Sequence, residues 1–180
     1  MTDTKSLTGP HVFTGNAGES LVVGELLRRG VIAALTPRNT PHWDVLATNG
    51  ETSASIRVKT RSHRASTWVC RVAKNSEFDK QPWRRTVFPN QMEHDFVALV
   101  DLGNPAAVDP REPVRYWIIP TDLLEKWLQD RFKRYVRTPG KNGRKHNPDN
   151  WERRFGSDPT DHEWLSNYRE QWELIINSIK

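Results

Sequence analysis

The chain has 180 residues, of which 36% are hydrophobic and 27% are charged, and its formal net charge is +5 at pH 7. This composition is that of a globular protein with a real core, and it excludes a disordered tail. No apolar run is long enough to span a bilayer, and the single cysteine excludes an internal disulfide or a cysteine-rich zinc site.

The sequence predicts one domain over residues 1–180, with residues 1–12 as a flexible N-terminus. We expect a cytoplasmic protein, because the first ten residues contain no apolar signal region. The predicted elements, in chain order, are a helix over 15–29, strands over 31–36, 43–48, 53–61, 67–72, 96–100 and 115–119, a helix from 121, a basic loop over 137–158 and a last helix from 160.

The first helix has one apolar stripe, formed by Val22, Val23 and Leu26. Glu19 precedes these residues at spacings that place it on the same stripe. An ionised carboxylate on a core-facing stripe is costly unless it is paired or bound to a metal. Taken alone, Glu19 is best interpreted as one partner of an ion pair.

The second and third strands form a hairpin around Asn49-Gly50, a pair of residues typical of a tight turn. Arg57 and Lys59 face the side opposite to the apolar residues of the third strand. The hairpin places Asp44 beside this charged face, and Glu19 projects towards the same sheet. The sequence therefore predicts that ionisable groups from three segments meet in one place.

Such a group suits metal-assisted hydrolysis of a phosphodiester bond. Mg²⁺ prefers hard oxygen ligands, and two carboxylates can hold it against a phosphate oxygen. The ion lowers the pKa of a bound water and offsets the charge of the transition state. A nearby lysine can orient the water or neutralise the phosphate.

Further along the chain, the continuous apolar run over 96–100 is typical of a central strand covered on both faces. The last helix is predicted to begin with a capping box formed by Thr160 and Glu163 and to bury one face as far as Ile179. The order of a helix, a three-stranded meander, further strands and two helices favours an α/β arrangement around a mixed sheet.

Several short motifs resemble those of the PD-(D/E)xK nuclease superfamily, and the likeness covers the chain from about Gly15 to Ile176. It is greatest to small bacterial domains similar to Holliday-junction resolvases or restriction endonucleases. The motifs are the runs over 15–20, 43–45, 56–60 and 168–175, with Trp68. This resemblance implies a restriction-endonuclease-like mixed β-sheet flanked by helices, and a metal-dependent endonuclease that hydrolyses DNA and leaves a 5′-phosphate. It implies that Glu19 and Asp44 bind Mg²⁺ or Mn²⁺ and that Lys59 is the catalytic lysine.

Arg57 departs from this pattern, because the position two residues before the lysine normally carries an acid or an amide. A guanidinium offers only donors and cannot bind a cation. In one interpretation, Arg57 turns away from a metal held by the two carboxylates and contacts a DNA phosphate. In the other, Arg57 pairs with the carboxylates in place of the metal, and the domain binds nucleic acid or a protein partner without cutting.

The basic residues predict where DNA, either duplex or branched, would bind. Phosphate contacts are expected from Arg61, Arg64, Arg134, Arg137, Lys141, Arg144 and Lys145. A homodimer is one arrangement implied by the resemblance, since two strands need two sites. A nucleotide cofactor is not expected, because the run over 15–18 is not followed by Gly-Lys-Ser/Thr. His42 and His63 flank the predicted site and are interpreted as surface residues.

Overall fold

The computed structural model describes residues 10–37, 43–62, 65, 67–71, 95–103, 113–147 and 152–180. In this part of the chain the helices are α1 (Pro10–Arg28), α2 (Thr121–Arg137), α3 (Pro159–Ser166) and α4 (Glu173–Ser178). The strands are β1 (Ile32–Leu35), β2 (Val45–Thr48), β3 (Ser53–Arg61), β4 (Trp68–Arg71), β5 (Phe96–Asp101), β6 (Arg115–Pro120) and β7 (Glu152–Phe155).

Five strands form the main sheet, in the order β1-β2-β3-β5-β6. β3 and β5 are parallel, and the other neighbours are antiparallel, so the sheet is mixed. β4 and β7 form a separate two-stranded antiparallel sheet. The predicted α/β class, with a mixed sheet flanked by helices, is confirmed.

The pattern of side chains along each strand explains how the main sheet is covered. In β3, Ala54, Ile56 and Val58 are buried, whereas Arg57 and Lys59 are half-buried, so one face carries the apolar residues and the other the charges. Every residue of β5 is buried, as its continuous apolar run predicted. The main sheet is therefore covered on both faces around β5, and it carries charge on one face at β3.

Two apolar clusters cover the two faces of this sheet. One joins α1 and the C-terminal segment to the apolar face of β3, and it includes Val22, Leu26, Ile56, Trp172 and Ile175. The other joins α2, α3 and the small sheet to the opposite face, and it includes Val97, Leu99, Leu124, Leu128 and Phe155. Arg57 and Lys59 lie on the second face, because they pair with Val97 and Leu99 on β5.

The structure corrects four sequence predictions. The first helix begins at Pro10 rather than at residue 15, so residues 10–12 belong to it rather than to a flexible N-terminus. The predicted loop over 137–158 contains a short 3-10 turn, Lys141–Gly143, and the strand β7. This strand was not recognised because Glu-Arg-Arg-Phe shows no apolar alternation; its pairing with β4 stabilises it.

The last predicted helix is instead two short helices, α3 and α4. Between them, Glu170 has a φ of 56°, which no α-helix permits. This segment pairs with β6, since Ile118 donates its N–H to the Tyr168 carbonyl at 2.9 Å and Glu170 donates to the Tyr116 carbonyl at 3.0 Å. The N-cap of α3 is Asp158, whose side chain accepts the Asp161 N–H, rather than the predicted Thr160. None of the helices in the described ranges is long and apolar enough to cross a membrane.

Candidate functional site

Asp44 is held at the entry to β2 by its own backbone and side chain. Its N–H donates to the Ile56 carbonyl at 2.9 Å, beside the first register pair of the two strands, Val45 and Ile56. Its Oδ2 atom accepts the Val58 N–H at 2.7 Å, so the carboxylate takes the place of the next backbone acceptor. The side chain is 18% exposed and is fixed in orientation at the end of the β2–β3 ladder.

Arg57 contacts the same carboxylate oxygen. Its Nε atom lies 3.4 Å from Asp44 Oδ2, and the Arg57 side chain is 30% exposed. This distance exceeds that of a normal hydrogen bond, and the contact is not the bidentate pair that arginine makes when it binds a carboxylate strongly. A partly exposed pair of this kind contributes about 0–1 kcal/mol to stability. Moving the guanidinium away from Asp44 therefore costs little.

Lys59 lies on the same face of β3 as Arg57, two residues further along the strand. Two residues of a strand span about 7 Å, so the Lys59 side chain is close to the pair formed by Arg57 and Asp44. Burial raises the pKa of the Cys70 thiol to about 12, and the positive charges of Lys59 and Arg57 act in the opposite direction. This places both cations near β4, so the small sheet lies beside the charged face of β3.

Glu19 approaches β3 from the other side of the main sheet. A Cβ atom built at Gly18 would lie 1.9 Å from Thr60 Oγ1, so α1 touches β3 at this point. Glu19 is the next residue and is half-buried. The structure therefore brings α1 to the segment of β3 that also carries Lys59, but on the face that holds the apolar cluster.

The oxygen atoms available at Asp44 fit a divalent cation. Both protein contacts fall on Oδ2, and Oδ1 accepts no hydrogen bond from the residues that the structure describes. Carboxylate oxygens are hard donors of the kind that Mg²⁺ and Mn²⁺ prefer. Across the described ranges, no three His, Cys, Asp or Glu side chains lie together as a metal cluster.

Arg61, predicted to bind nucleic acid, lies mostly in the interior. Its Nε and Nη2 atoms donate to Asp101 Oδ2 at 3.1 and 2.8 Å, and its Nη1 atom donates to the Gly156 carbonyl at 3.2 Å. The guanidinium stacks over the Trp68 ring, 3.7 Å from its centroid. These contacts join the main sheet to the small one, and they give Arg61 a structural role that its sequence position did not indicate.

Two other arginines of the basic region are also structural. Arg131 forms ion pairs with Asp158 and with the buried Asp161. Arg153 is buried, and its guanidinium lies 4.0 Å from the centroid of the Tyr135 ring. Arg131 and Arg153 are therefore occupied within the protein, and the positive charge that residues 131–154 expose to solvent comes from other basic residues.

The remaining predicted phosphate contacts lie at one end of α2 and on the turn that follows it. Arg134, Arg137, Arg144 and Lys145 are exposed. The turn is ordered by a 2.7 Å hydrogen bond from Gly140 N–H to the Arg144 carbonyl and by the stacking of His146 on Tyr135, with ring centroids 3.9 Å apart. A basic turn held in one shape can contact a phosphate backbone at low entropic cost. Arg64, His42, His63 and the side chain of Lys141 lie outside the described residues.

Sequence analysis missed a basic cavity of about 180 Å³ between β3, β4, β6 and α3. Arg61, Arg115, Arg169 and His162 line it together with two tryptophans. These residues come from distant segments, and no local pattern connects them. The only signal in the sequence was an excess of arginine.

Comparison with known proteins identifies the architecture. No protein-family model matches the chain, and no curated protein matches its sequence. A bacterial homing endonuclease has a similar structure, with a TM-score of 0.53 and 14% identity, over 94% of this chain and 95% of that chain. The Holliday junction resolvase Hjc from the archaeal hyperthermophile Archaeoglobus fulgidus matches with a TM-score of 0.33 and 17% identity, over 61% of this chain and 74% of that chain.

The first of these similarities shows the fold. The chain is an α/β protein with a restriction-endonuclease-like mixed sheet flanked by helices, as the resemblance implied.

Proposed function

We propose that this protein is a metal-dependent endonuclease that hydrolyses phosphodiester bonds in DNA. The observation that carries the proposal is the arrangement on the charged face of β3, where Asp44, Arg57 and Lys59 lie side by side in a restriction-endonuclease-like sheet. The similarity of the whole chain to a homing endonuclease supports the same class of substrate.

Asp44 would hold the metal through Oδ1, since both of its described contacts fall on Oδ2. Glu19, expected as the second ligand, lies on α1 over the opposite face of the main sheet, so Asp44 and bound waters would hold the ion. When bound, a divalent ion would acidify a water molecule and stabilise charge on the phosphate. The Val58 N–H keeps the Asp44 carboxylate in one orientation, so that the ligand is preorganised.

Lys59 and Arg57 would act on the DNA. The Lys59 ammonium can donate a hydrogen bond to the attacking water or to a phosphate oxygen. Arg57 is held by a single long contact through Nε, so its two terminal nitrogens can form a bidentate pair with a phosphate of the DNA strand.

The basic turn over 138–147 and the exposed end of α2 would contact phosphates further from the cut. A homodimer would present two such sites to two strands.

A nicking assay tests this proposal. Supercoiled plasmid and a panel of linear, branched and single-stranded oligonucleotides are incubated with Mg²⁺ or Mn²⁺, and the ends are analysed for 5′-phosphate. Asp44→Asn and Lys59→Ala should each reduce the rate by about 10²–10⁴-fold, the usual contribution of an acid–base or charge-stabilising group. Glu51→Gln, an exposed carboxylate on the same hairpin, is the matched control and should cut at the wild-type rate. Equal rates for Asp44→Asn and wild type would overturn the proposal.

A second function is favoured by the ion pair itself. Arg57 lies against Asp44, where the first function places a cation, and a domain with this pair intact would bind DNA without cutting it. This alternative predicts tight binding in a chelator and no nicking with either metal. The two functions therefore give opposite results in the same assay, provided that binding is measured alongside cleavage.

A further inference from the structure

We propose that the basic cavity between the two sheets binds a phosphate group of the DNA backbone beside the cleavage site. This inference rests on the proposed action on DNA, although not on cleavage. Its central observation is that Arg61, Arg115 and Arg169 converge from three segments on one cavity of about 180 Å³, with His162 at the same wall.

The charges lining the cavity do not balance. Asp101 is buried, and its Oδ2 atom accepts from Arg61 Nη2 at 2.8 Å and from Arg115 Nη2 at 2.9 Å. One carboxylate therefore serves two guanidinium groups. Arg169 is exposed and has no acidic partner within the described part of the chain. The cavity thus carries a net positive charge that an anion can neutralise.

Arg115 also has an unused donor. Its Nε–H is shielded from solvent and has no hydrogen-bond partner among the described residues. A shielded donor without a partner costs about 1–3 kcal/mol, and an acceptor that enters the cavity could recover this energy. Phosphate oxygens are strong acceptors, and arginine is the side chain best matched to them.

The size and walls of the cavity favour a phosphate over a base. Pockets that enclose a whole small molecule have volumes of about 300–1,000 Å³, so this cavity suits one group of a larger ligand. The tryptophans offer no free stacking face: Trp68 is 2% exposed and is covered by Arg61, while Trp117 is 9% exposed and meets Trp68 edge-on. The walls therefore provide charge and shape rather than a stacking platform for a base.

The position of the cavity links it to the candidate site. Arg61 follows Lys59 by two residues on the same face of β3, which is a distance of about 7 Å along the strand. A DNA strand with its scissile phosphate at Asp44 and Lys59 would therefore pass the cavity with a neighbouring phosphate. This contact would set the register of the DNA strand relative to Asp44 and Lys59.

Binding measured in EDTA tests this inference separately from cleavage. Fluorescence anisotropy with a labelled DNA duplex gives the dissociation constant between 50 and 200 mM NaCl. Arg169→Gln should reduce the slope of log K against log [salt] by about one. Wild type should then lose about fourfold more affinity than the variant across this range. The matched control is Arg28→Gln on α1, which lies on the opposite face of the main sheet and should keep the wild-type slope.

Arg115→Gln provides a second variant, used only if its circular dichroism spectrum matches that of wild type. Inorganic phosphate is tested as well, by its effect on the melting temperature at constant ionic strength. An unchanged slope for Arg169→Gln overturns the inference even if nicking is intact. If phosphate raises the melting temperature while the DNA slope is unchanged, the cavity binds a free anion, and the assignment to the DNA backbone is wrong.

Discussion

Gly18 on α1 and Thr60 on β3 approach so closely that no side chain fits between them. A Cβ atom at Gly18 would lie 1.9 Å from Thr60 Oγ1 and 2.8 Å from its Cγ2. This contact fixes the height at which α1 crosses β3, and Glu19 is the next residue along the helix. The position of Glu19, which the resemblance implied as a metal ligand, therefore depends on one glycine.

Gly18→Ala should destabilise the fold by about 1–3 kcal/mol, because overpacking a closely packed contact forces the backbone to move. Urea denaturation measures the change. Gly24→Ala on the same helix is the control: a Cβ there meets nothing within 4 Å, so it should be neutral or stabilising by up to about 1 kcal/mol. Thr60→Ala should rescue part of the Gly18→Ala loss. Equal stability of Gly18→Ala and Gly24→Ala would show that the close contact does not form.

Arg57→Gln should strengthen metal binding. The substitution removes a positive charge beside Asp44 and supplies an amide oxygen, which divalent cations accept as a ligand. We expect at least a roughly tenfold tighter binding of Mn²⁺, equivalent to about 1.4 kcal/mol. Calorimetric titration, or the rise of the melting temperature with Mn²⁺, measures this change. Arg57→Lys keeps the charge and should bind Mn²⁺ no better than wild type. Identical affinities in Arg57→Gln and wild type would mean that Arg57 does not control the site.

Asp101→Asn should cost about 3 kcal/mol, because it removes a buried carboxylate that pairs with the largely buried Arg61 and with the more exposed Arg115. Asp130→Asn, which breaks an exposed pair with Lys133, should cost less than about 1 kcal/mol. Thermal denaturation at pH 7 compares the two variants. A small loss in both would indicate that the Asp101 cluster is solvated.

The same carboxylate gives a pH dependence. Burial opposes ionisation of Asp101, but the Gly103 N–H and the two arginines outweigh it, so the pKa lies below the ordinary value of 3.8. Stability from this group is fully present above that value and is lost as the pH falls through the lower folded-state pKa. The difference in stability between wild type and Asp101→Asn should therefore shrink below about pH 3.8. If the difference in stability between wild type and Asp101→Asn stayed constant down to pH 2, the lowered pKa of Asp101 would be contradicted.

Cys70 should be unreactive in the folded protein. Burial raises the pKa of its thiol to about 12, so almost no thiolate forms at pH 8. Ellman's reagent should label the thiol in guanidinium chloride but not in the native protein, and Cys70→Ala provides the blank.

Because the unfolded thiol ionises near 9.0, the stability of the protein should decline as the pH rises from that value towards 12. Rapid labelling of native protein would show that the small sheet opens.

Local patterns predicted the elements around the candidate site. The hairpin turn at Asn49-Gly50, the alternation along β3 and the apolar run of β5 each depend on neighbours in sequence, and each is confirmed. The bounds of β3 were predicted as they are observed. The placement of Asp44 beside Arg57 followed from the hairpin, since antiparallel pairing puts opposed residues on one face.

Long-range pairing decided the rest. Glu152–Phe155 is a strand only because β4 supplies its hydrogen bonds, and the break after α3 exists because 168–170 pairs with β6. Arg61 was expected to contact DNA, and the fold also makes it join the two sheets through Asp101 and Trp68.

The sequence alone determined that this chain has a basic, mixed α/β domain with Asp44, Arg57 and Lys59 on one strand pair, because strand periodicity and a short turn are local properties. Only the tertiary structure decided which arginines are structural and which line a cavity, and on which face Glu19 approaches. The reason is physical: the partner of a long charged side chain is chosen by whichever opposite charge or ring the folded chain brings within a few ångströms, and such partners lie far away in sequence.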